Sequence, residues 1–314
     1  MAGQRFKARP GLPRALAPDD APPVAQAPLE AADWTPRTPL DRIAVRVHAF
    51  LSGARVPIFY LVLLGLTVGW LYHLGPVLVT SDGLLLAAAA ILPVTILMIG
   101  IWALDRTTLE PLDLVLRTYL LGAALAVLAA MVNTQLDYLP DLVLYPLVVG
   151  PGEEIVKILA VFLLAYRHRA FDHAIDGVFY AVAAAAGFAA IENVTHVVGA
   201  TVNRGLGGAW DLVLLRTFVS TPAHLIWSAF AGYYLGLARF VPHHAGTLVT
   251  KGLLVAATAH AVYDLLVTQG GAVGFGIAVA LNLALLAWLG QKVHAYYALH
   301  GLAKRSGAPT HPRA

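Results

Sequence analysis

Apolar residues in this chain run in long blocks, without the narrow apolar stripe of a helix in a soluble protein. From Pro57 onward eight blocks follow one another, at roughly 57–79, 84–104, 113–134, 142–166, 174–200, 211–238, 248–268 and 272–299. A bilayer is crossed by about 20 predominantly apolar residues in a helix. The pattern therefore predicts an all-α fold, a bundle of about eight transmembrane helices. Leu40 to Val56 is different. Leu40, Ile43, Ala44, Val47, Phe50 and Leu51 fall on one helical stripe with Arg42 and Arg46 opposite. That pattern suits a helix lying on the membrane surface, and it equally suits a lead-in to the first span. Before it, Met1 to about Pro39 holds eight of the 19 prolines and no apolar core of the signal-peptide kind, which predicts a disordered tail. The expected plan is a tail over 1–39, an interfacial helix over 40–56, a membrane domain over 57–300 and a second tail over 301–314.

Composition agrees with the blocks. The chain is 59% hydrophobic and 12% charged, whereas soluble domains carry about 25% charged residues. The absence of cysteine excludes disulfides, thiolate metal sites and a cysteine nucleophile. No Walker, Rossmann or H-E-x-x-H pattern is present, and no soluble stretch is long enough to bind nucleic acid. The net charge of +3 matters less than its placement. With the N-terminus in the cytoplasm, that side collects the basic residues of the tail and surface helix together with Arg106, Arg117, Arg167, Arg169, Arg239, Lys251, Lys292, Lys304, Arg305 and Arg313. The other side keeps Arg204 and Arg216. This asymmetry predicts both termini in the cytoplasm.

Charges inside the blocks are the candidate chemistry. Glu153, Glu154 and Lys157 sit within an apolar run, Glu192-Asn193 in the next, Thr221-Pro222-Ala223-His224 in the one after, and His260 with Asp264 in the seventh. A charge near the centre of a membrane helix costs at least about 2.5–3.5 kcal/mol. At 1.5 Å per residue, Glu153 is ~21 Å from Arg167, His224 ~22 Å from Arg239, Glu192 ~27 Å from Ala174 and Asp264 ~20 Å from Lys251. Four consecutive spans thus bring an acid or an imidazole to the middle or outer half of the bilayer. Bland readings stand beside each motif. Glu153 and Lys157 are four apart and could neutralise one another, His224 could be a hydrogen-bonded core histidine, and Asp264 could serve to orient His260. Taken together the set points to a functional site, either for hydrolysis or for a proton- or ion-coupled transporter; a membrane scaffold with a polar core is the third reading. Pro146, Gly150, Pro151 and Gly152 predict a broken backbone just before the carboxylate pair, with a helix starting near Pro151.

Glu153-Glu154-x-x-Lys157, Phe188-x-x-x-Glu192-Asn193, His224 and His260-x-x-x-Asp264, in that order, resemble the PrsW family of intramembrane proteases, distant relatives of the CAAX prenyl endopeptidases and of the bacteriocin-immunity membrane proteases. The resemblance covers about Leu142 to Val267, and it includes Asp176-Gly177 and Gly187-Phe188. It implies proteolysis of a membrane protein, such as a single-span anti-sigma factor, in the cytoplasmic membrane of a bacterium. Peptide hydrolysis needs an activated water, a stabilised oxyanion and a proton for the leaving amine. A Zn²⁺ held by His224, His260 and Glu192, with Glu153 or Glu154 as base, would supply these. A metal-free version would use the Glu pair on water and the His pair as oxyanion donors. The sequence leaves both open. Lys157, Asn193 and Asp264 are expected to support the reacting groups, and the cut is expected near the extracytoplasmic side.

Overall fold

A computed structural model describes residues 80–104 and 109–305. The N-terminal tail, the surface helix and the first apolar block lie outside the described residues. All regular structure among the described residues is helical. Helix α1 (Ser81–Trp102) starts at Thr80, whose side chain accepts from the Gly83 N–H at 2.9 Å. Helix α2 is Leu112–Gln135. A four-residue turn, α3 (Asp141–Leu144), leads through a π turn (Tyr145–Val149) into α4 (Gly150–Leu164). Helix α5 (Asp176–Leu215) continues through a second π turn (Arg216–Ser220) into α6 (Thr221–Phe240). Helices α7 (Ala245–Gln269) and α8 (Gly271–Arg305) close the bundle.

Among the described residues five stretches are long and apolar enough to cross a membrane: Ser81–Trp102, Leu112–Gln135, Asp176–Phe240, Pro242–Gln269 and Gly271–Ala298. The expected count of about eight is therefore not confirmed. The fourth block is divided, and its main helix α4 is 15 residues long with three charges near its start. The fifth and sixth blocks lie in one run, Asp176–Phe240, that folds back on itself as two limbs. Within it the chain turns at Gly205, whose φ of 70° suits a residue without a side chain. The limbs on either side run antiparallel, because Gly177 meets Gly232 near one end while Asn193 meets Thr221 nearer the turn.

The expected break before Glu153 is a different structure. The backbone stays helical through 141–164, but the Gly150 N–H reaches back five residues to the Tyr145 carbonyl. The same happens at Thr221, which bonds to the Arg216 carbonyl. In both places the next residue is proline, Pro151 or Pro222. Proline has no N–H to continue the α ladder, and a wider turn accommodates the missing bond.

Helix α5 forms the axis of the bundle. Ala183, Ala184, Ala185, Ala186 and Ala189 are wholly buried in it. Its neighbours approach to backbone contact: a Cβ on Gly187 would stand 1.8 Å from the Tyr119 carbonyl oxygen, and one on Gly236 would stand 1.8 Å from that of Ala174. Close approach through small residues is how helices gain packing energy where surrounding lipid removes the hydrophobic drive to associate. Helices α4 and α7 are antiparallel, with Gly150 against Ala257 and Ala261 and with the Gln269 amide bonded to Asp141. Helices α6 and α7 are antiparallel too, with Ser220 bonded to Tyr263 and Gly252 against Ala231 and Tyr234. These directions bring the start of α4, the middle of α5, the start of α6 and the later half of α7 to one level.

Candidate active site

Glu153 and Glu154 leave the first turn of α4 on neighbouring faces, and their surroundings differ. Glu154 is saturated. Its Oε1 lies 2.7 Å from Lys157 Nζ and 3.1 Å from His260 Nδ1, and its Oε2 accepts from Ser228 Oγ at 2.8 Å. Glu153 accepts from Asn133 Nδ2 at 3.0 Å through Oε1. Its buried Oε2 has no hydrogen-bond partner; His260 Nε2 is 3.7 Å away and Lys157 Nζ 3.8 Å. A buried carboxylate oxygen left without a partner is costly in a purely structural role.

Lys157 is wholly buried and joins two helices. Besides Glu154 it reaches His224 Nδ1 at 2.8 Å, and its ammonium lies 4.4 Å from the centre of the Phe188 ring. The other nitrogen of His224, Nε2, is 3.1 Å from Glu192 Oε2. Glu192 Oε1 faces Arg216 Nη2 at 2.8 Å and His196 Nε2 at 3.3 Å. Asn193 accepts from Arg216 Nε at 2.5 Å and donates to Thr221 at 3.0 Å. On α7, Asp264 Oδ2 lies 3.4 Å from His260 Nε2. The two imidazoles meet edge to face with centroids 5.0 Å apart. The structure thus brings Glu153, Glu154, Lys157, Glu192, Asn193, His224, His260 and Asp264 into one connected ring.

Ligand geometry picks out a set other than the one expected from the motifs. Glu153, His224 and His260 each offer one donor atom, all within 4.8 Å of one another and all buried. Glu192 is instead the carboxylate between His224 and Arg216. The residues present fit a divalent transition metal on three counts. Two imidazoles and a carboxylate are a donor set used by catalytic zinc. Glu153 Oε2 is a buried acceptor lacking a bond. The ring also holds four acids, Glu153, Glu154, Glu192 and Asp264, against two fixed cations, Lys157 and Arg216. With the acids ionised and the imidazoles neutral, the deficit is two positive charges, the charge of one such ion.

Several members of the ring carry no sequence motif. Arg216, counted above as an outward-facing topology charge, is buried and paired with Glu192. Asn133, Ser228 and Asn282 each hold a site residue or its neighbour from another helix. Asn282 Oδ1 accepts from Trp227 Nε1 at 2.8 Å, and Trp227 stacks on His260. A polar residue deep inside an apolar block was the available signal for Asn282, whereas Asn133 stands at the end of its block.

A second group, Asp172, His173 and Asp176, also has donor atoms within 4.8 Å. It lies at the opposite end of α5, ~24 Å from Glu192. Asp176 Oδ2 accepts from the His173 backbone N–H at 2.6 Å, closing the turn that leads into α5.

Residues 110–289, more than half of the chain, match the family described as PrsW family intramembrane metalloproteases. A protein named Protease PrsW from Clostridioides difficile is 29% identical over 184 residues, 56% of this chain and 76% of that protein. Those from Shouchella clausii and Bacillus subtilis are 28% and 27% identical, over 59% and 58% of this chain and 85% and 82% of theirs. No solved structure matches.

Proposed function

The chain belongs to the PrsW family of intramembrane metalloproteases, and from that membership we propose that it hydrolyses a peptide bond in the outer half of a membrane-spanning segment of its substrate, a single-span protein of the anti-sigma type in the cytoplasmic membrane of a bacterium. The observation that carries this reading is the junction of Glu153, His224 and His260 inside one buried ring. A transporter needs a polar file that spans the bundle, whereas these groups close on each other at one level.

We assign roles from the contacts. Glu153, His224 and His260 would hold the metal, which we propose to be zinc. When bound it would polarise the scissile carbonyl and acidify a water. Glu192, 3.1 Å from His224 Nε2, takes the proton from the attacking water and returns it to the leaving amine. Glu153 and Glu192 thereby exchange the roles expected from their motifs. Arg216 and Asn193 hold Glu192 in place, and Asn133 holds Glu153. Glu154 anchors Lys157, Ser228 and His260, which fixes His260 directly and His224 through Lys157.

The level of the ring supports the outer side. His224 lies ~22 Å along α6 from Arg239 and His260 ~13 Å along α7 from Lys251. With those basic residues and both termini in the cytoplasm, His224 lies beyond the centre of a hydrocarbon core about 30 Å thick and His260 close to that centre. The test is terminal labelling of membrane proteins in cells expressing the chain or its Glu192→Gln variant. New N-termini within single spans, present with the wild type and absent with the variant, are expected. Identical sets of termini would overturn the reading.

A further inference from the structure

Hydrolysis consumes one water, which gives its hydroxyl to the new carboxyl group and its proton to the new amine. The ring is buried, so that water needs a way in. Two hollows are candidates. One, of about 480 Å³, lies between α7 and α8 and is lined by apolar side chains such as Leu254, Val262, Leu281 and Leu285; water gains nothing there. The other, of about 370 Å³, lies where α5 approaches its turn at Gly205, and is lined by Thr195, His196, Gly199, Asn203, Arg204 and Leu212.

This second pocket touches the ring through His196. The contacts form a series in which exposure falls step by step. The His196 side chain is 52% exposed and lies 3.3 Å from Glu192, which is 19% exposed. Glu192 lies 3.1 Å from His224, which is 4% exposed, and His224 lies 2.8 Å from the wholly buried Lys157. Along α5 the pocket begins ~29 Å from Asp176, close to the full thickness of the hydrocarbon core, about 30 Å. It therefore stands at a membrane–water boundary when Asp176 stands at the other. We infer that the pocket at the α5 turn is the water entrance of the site, and that His196 and Glu192 line the passage from it to the ring. The inference rests on the hydrolytic reading given above and adds the route.

The chain has no cysteine, so a reporter thiol can be placed cleanly. Ser228→Cys puts one 2.8 Å from Glu154, at the inner end of the route. Purified protein is treated with 2-aminoethyl methanethiosulfonate, and modification is followed by mass. A Cβ at Gly199 meets open space, and Gly199 lines the pocket, so Gly199→Trp directs its bulk into the pocket. The expected result is modification of Ser228→Cys, slowed tenfold or more by Gly199→Trp, less by Gly199→Leu and not at all by Gly199→Ala. Equal rates with and without the bulky residue would overturn the inference. So would an inert Ser228→Cys under conditions that modify Asn203→Cys at the rim. The graded series keeps the test decisive if the tryptophan variant misfolds. Modification is read without any cleavage, so failure of the entrance and failure of the protease reading are separate results.

Discussion

Trp227 lies almost flat on His260, with ring centroids 4.4 Å apart and planes 25° from parallel. The indole is held in turn by Asn282 on the last helix, at 2.8 Å. An imidazole packed on one face by a fixed ring, and held at its nitrogens by Glu154 and Asp264, has little freedom to turn. Asn282→Leu leaves the Trp227 N–H buried without an acceptor, at a cost of about 1–3 kcal/mol. The expected outcome is a lower melting temperature in detergent and a several-fold lower cleavage rate. An unchanged melting temperature would show that the indole does not depend on Asn282.

Lys157→Met removes the cation from a wholly buried carboxylate. Breaking one side of a buried pair costs about 3–5 kcal/mol, so the variant is expected to accumulate poorly in the membrane. Adding Glu154→Gln removes the stranded charge. The double variant should recover folded yield on size-exclusion chromatography while cleaving nothing. A well-folded single variant would show that the Lys157–Glu154 pair contributes little.

Metal content separates the two carboxylates. Purified wild type is expected to carry about one equivalent of transition metal by elemental analysis, given the three-donor set. Glu153→Gln and the His224→Ala/His260→Ala double variant should lose it. Glu192→Gln should keep the metal yet lose cleavage by roughly 10²-fold or more, the scale of a missing general base. Retention by Glu153→Gln with loss by Glu192→Gln would restore the assignment expected from the motifs.

Membrane orientation is tested by thiol labelling of single cysteines at Val149 and Arg167 in intact cells. Position 149 is expected to react from outside and position 167 from the cytoplasm. Reaction of 149 from the cytoplasmic side alone would reverse the bundle and the side of the cut.

Contacts between α2 and α5 give a folding prediction. Gly187→Val places carbon where the Tyr119 carbonyl stands, 1.8 Å from the ideal Cβ position, and should abolish stable accumulation. Gly199→Val, on the same helix in open space, should accumulate as wild type. Equal yields would mean that α2 and α5 tolerate separation.

The motif residues were legible in the sequence because charges inside apolar blocks stand out, and because spacings of three and four put Glu153, Glu154 and Lys157 within reach, and His260 beside Asp264. Their partners on other helices were not. Nothing local ties Asn133 to Glu153 or Ser228 to Glu154, since those pairs are made by packing across 20 and 74 residues of chain. Arg216 was counted as outward-facing because orientation is read from basic residues near block ends; its partner Glu192 lies 24 residues earlier, across the turn at Gly205.

The two π turns have a consequence for inheritance. Each contains one residue more than an α turn needs, and each ends two residues before Pro151 or Pro222, which in turn stand two residues ahead of Glu153 or His224. Losing one residue there would let the turn tighten, and every position beyond it would rotate about the helix axis by about 100°. Both catalytic faces would then turn away from the ring while composition and hydropathy stayed nearly the same. In these two five-residue windows a change of length is a change of aim, so drift among relatives should be free in residue type and closed to insertion and deletion.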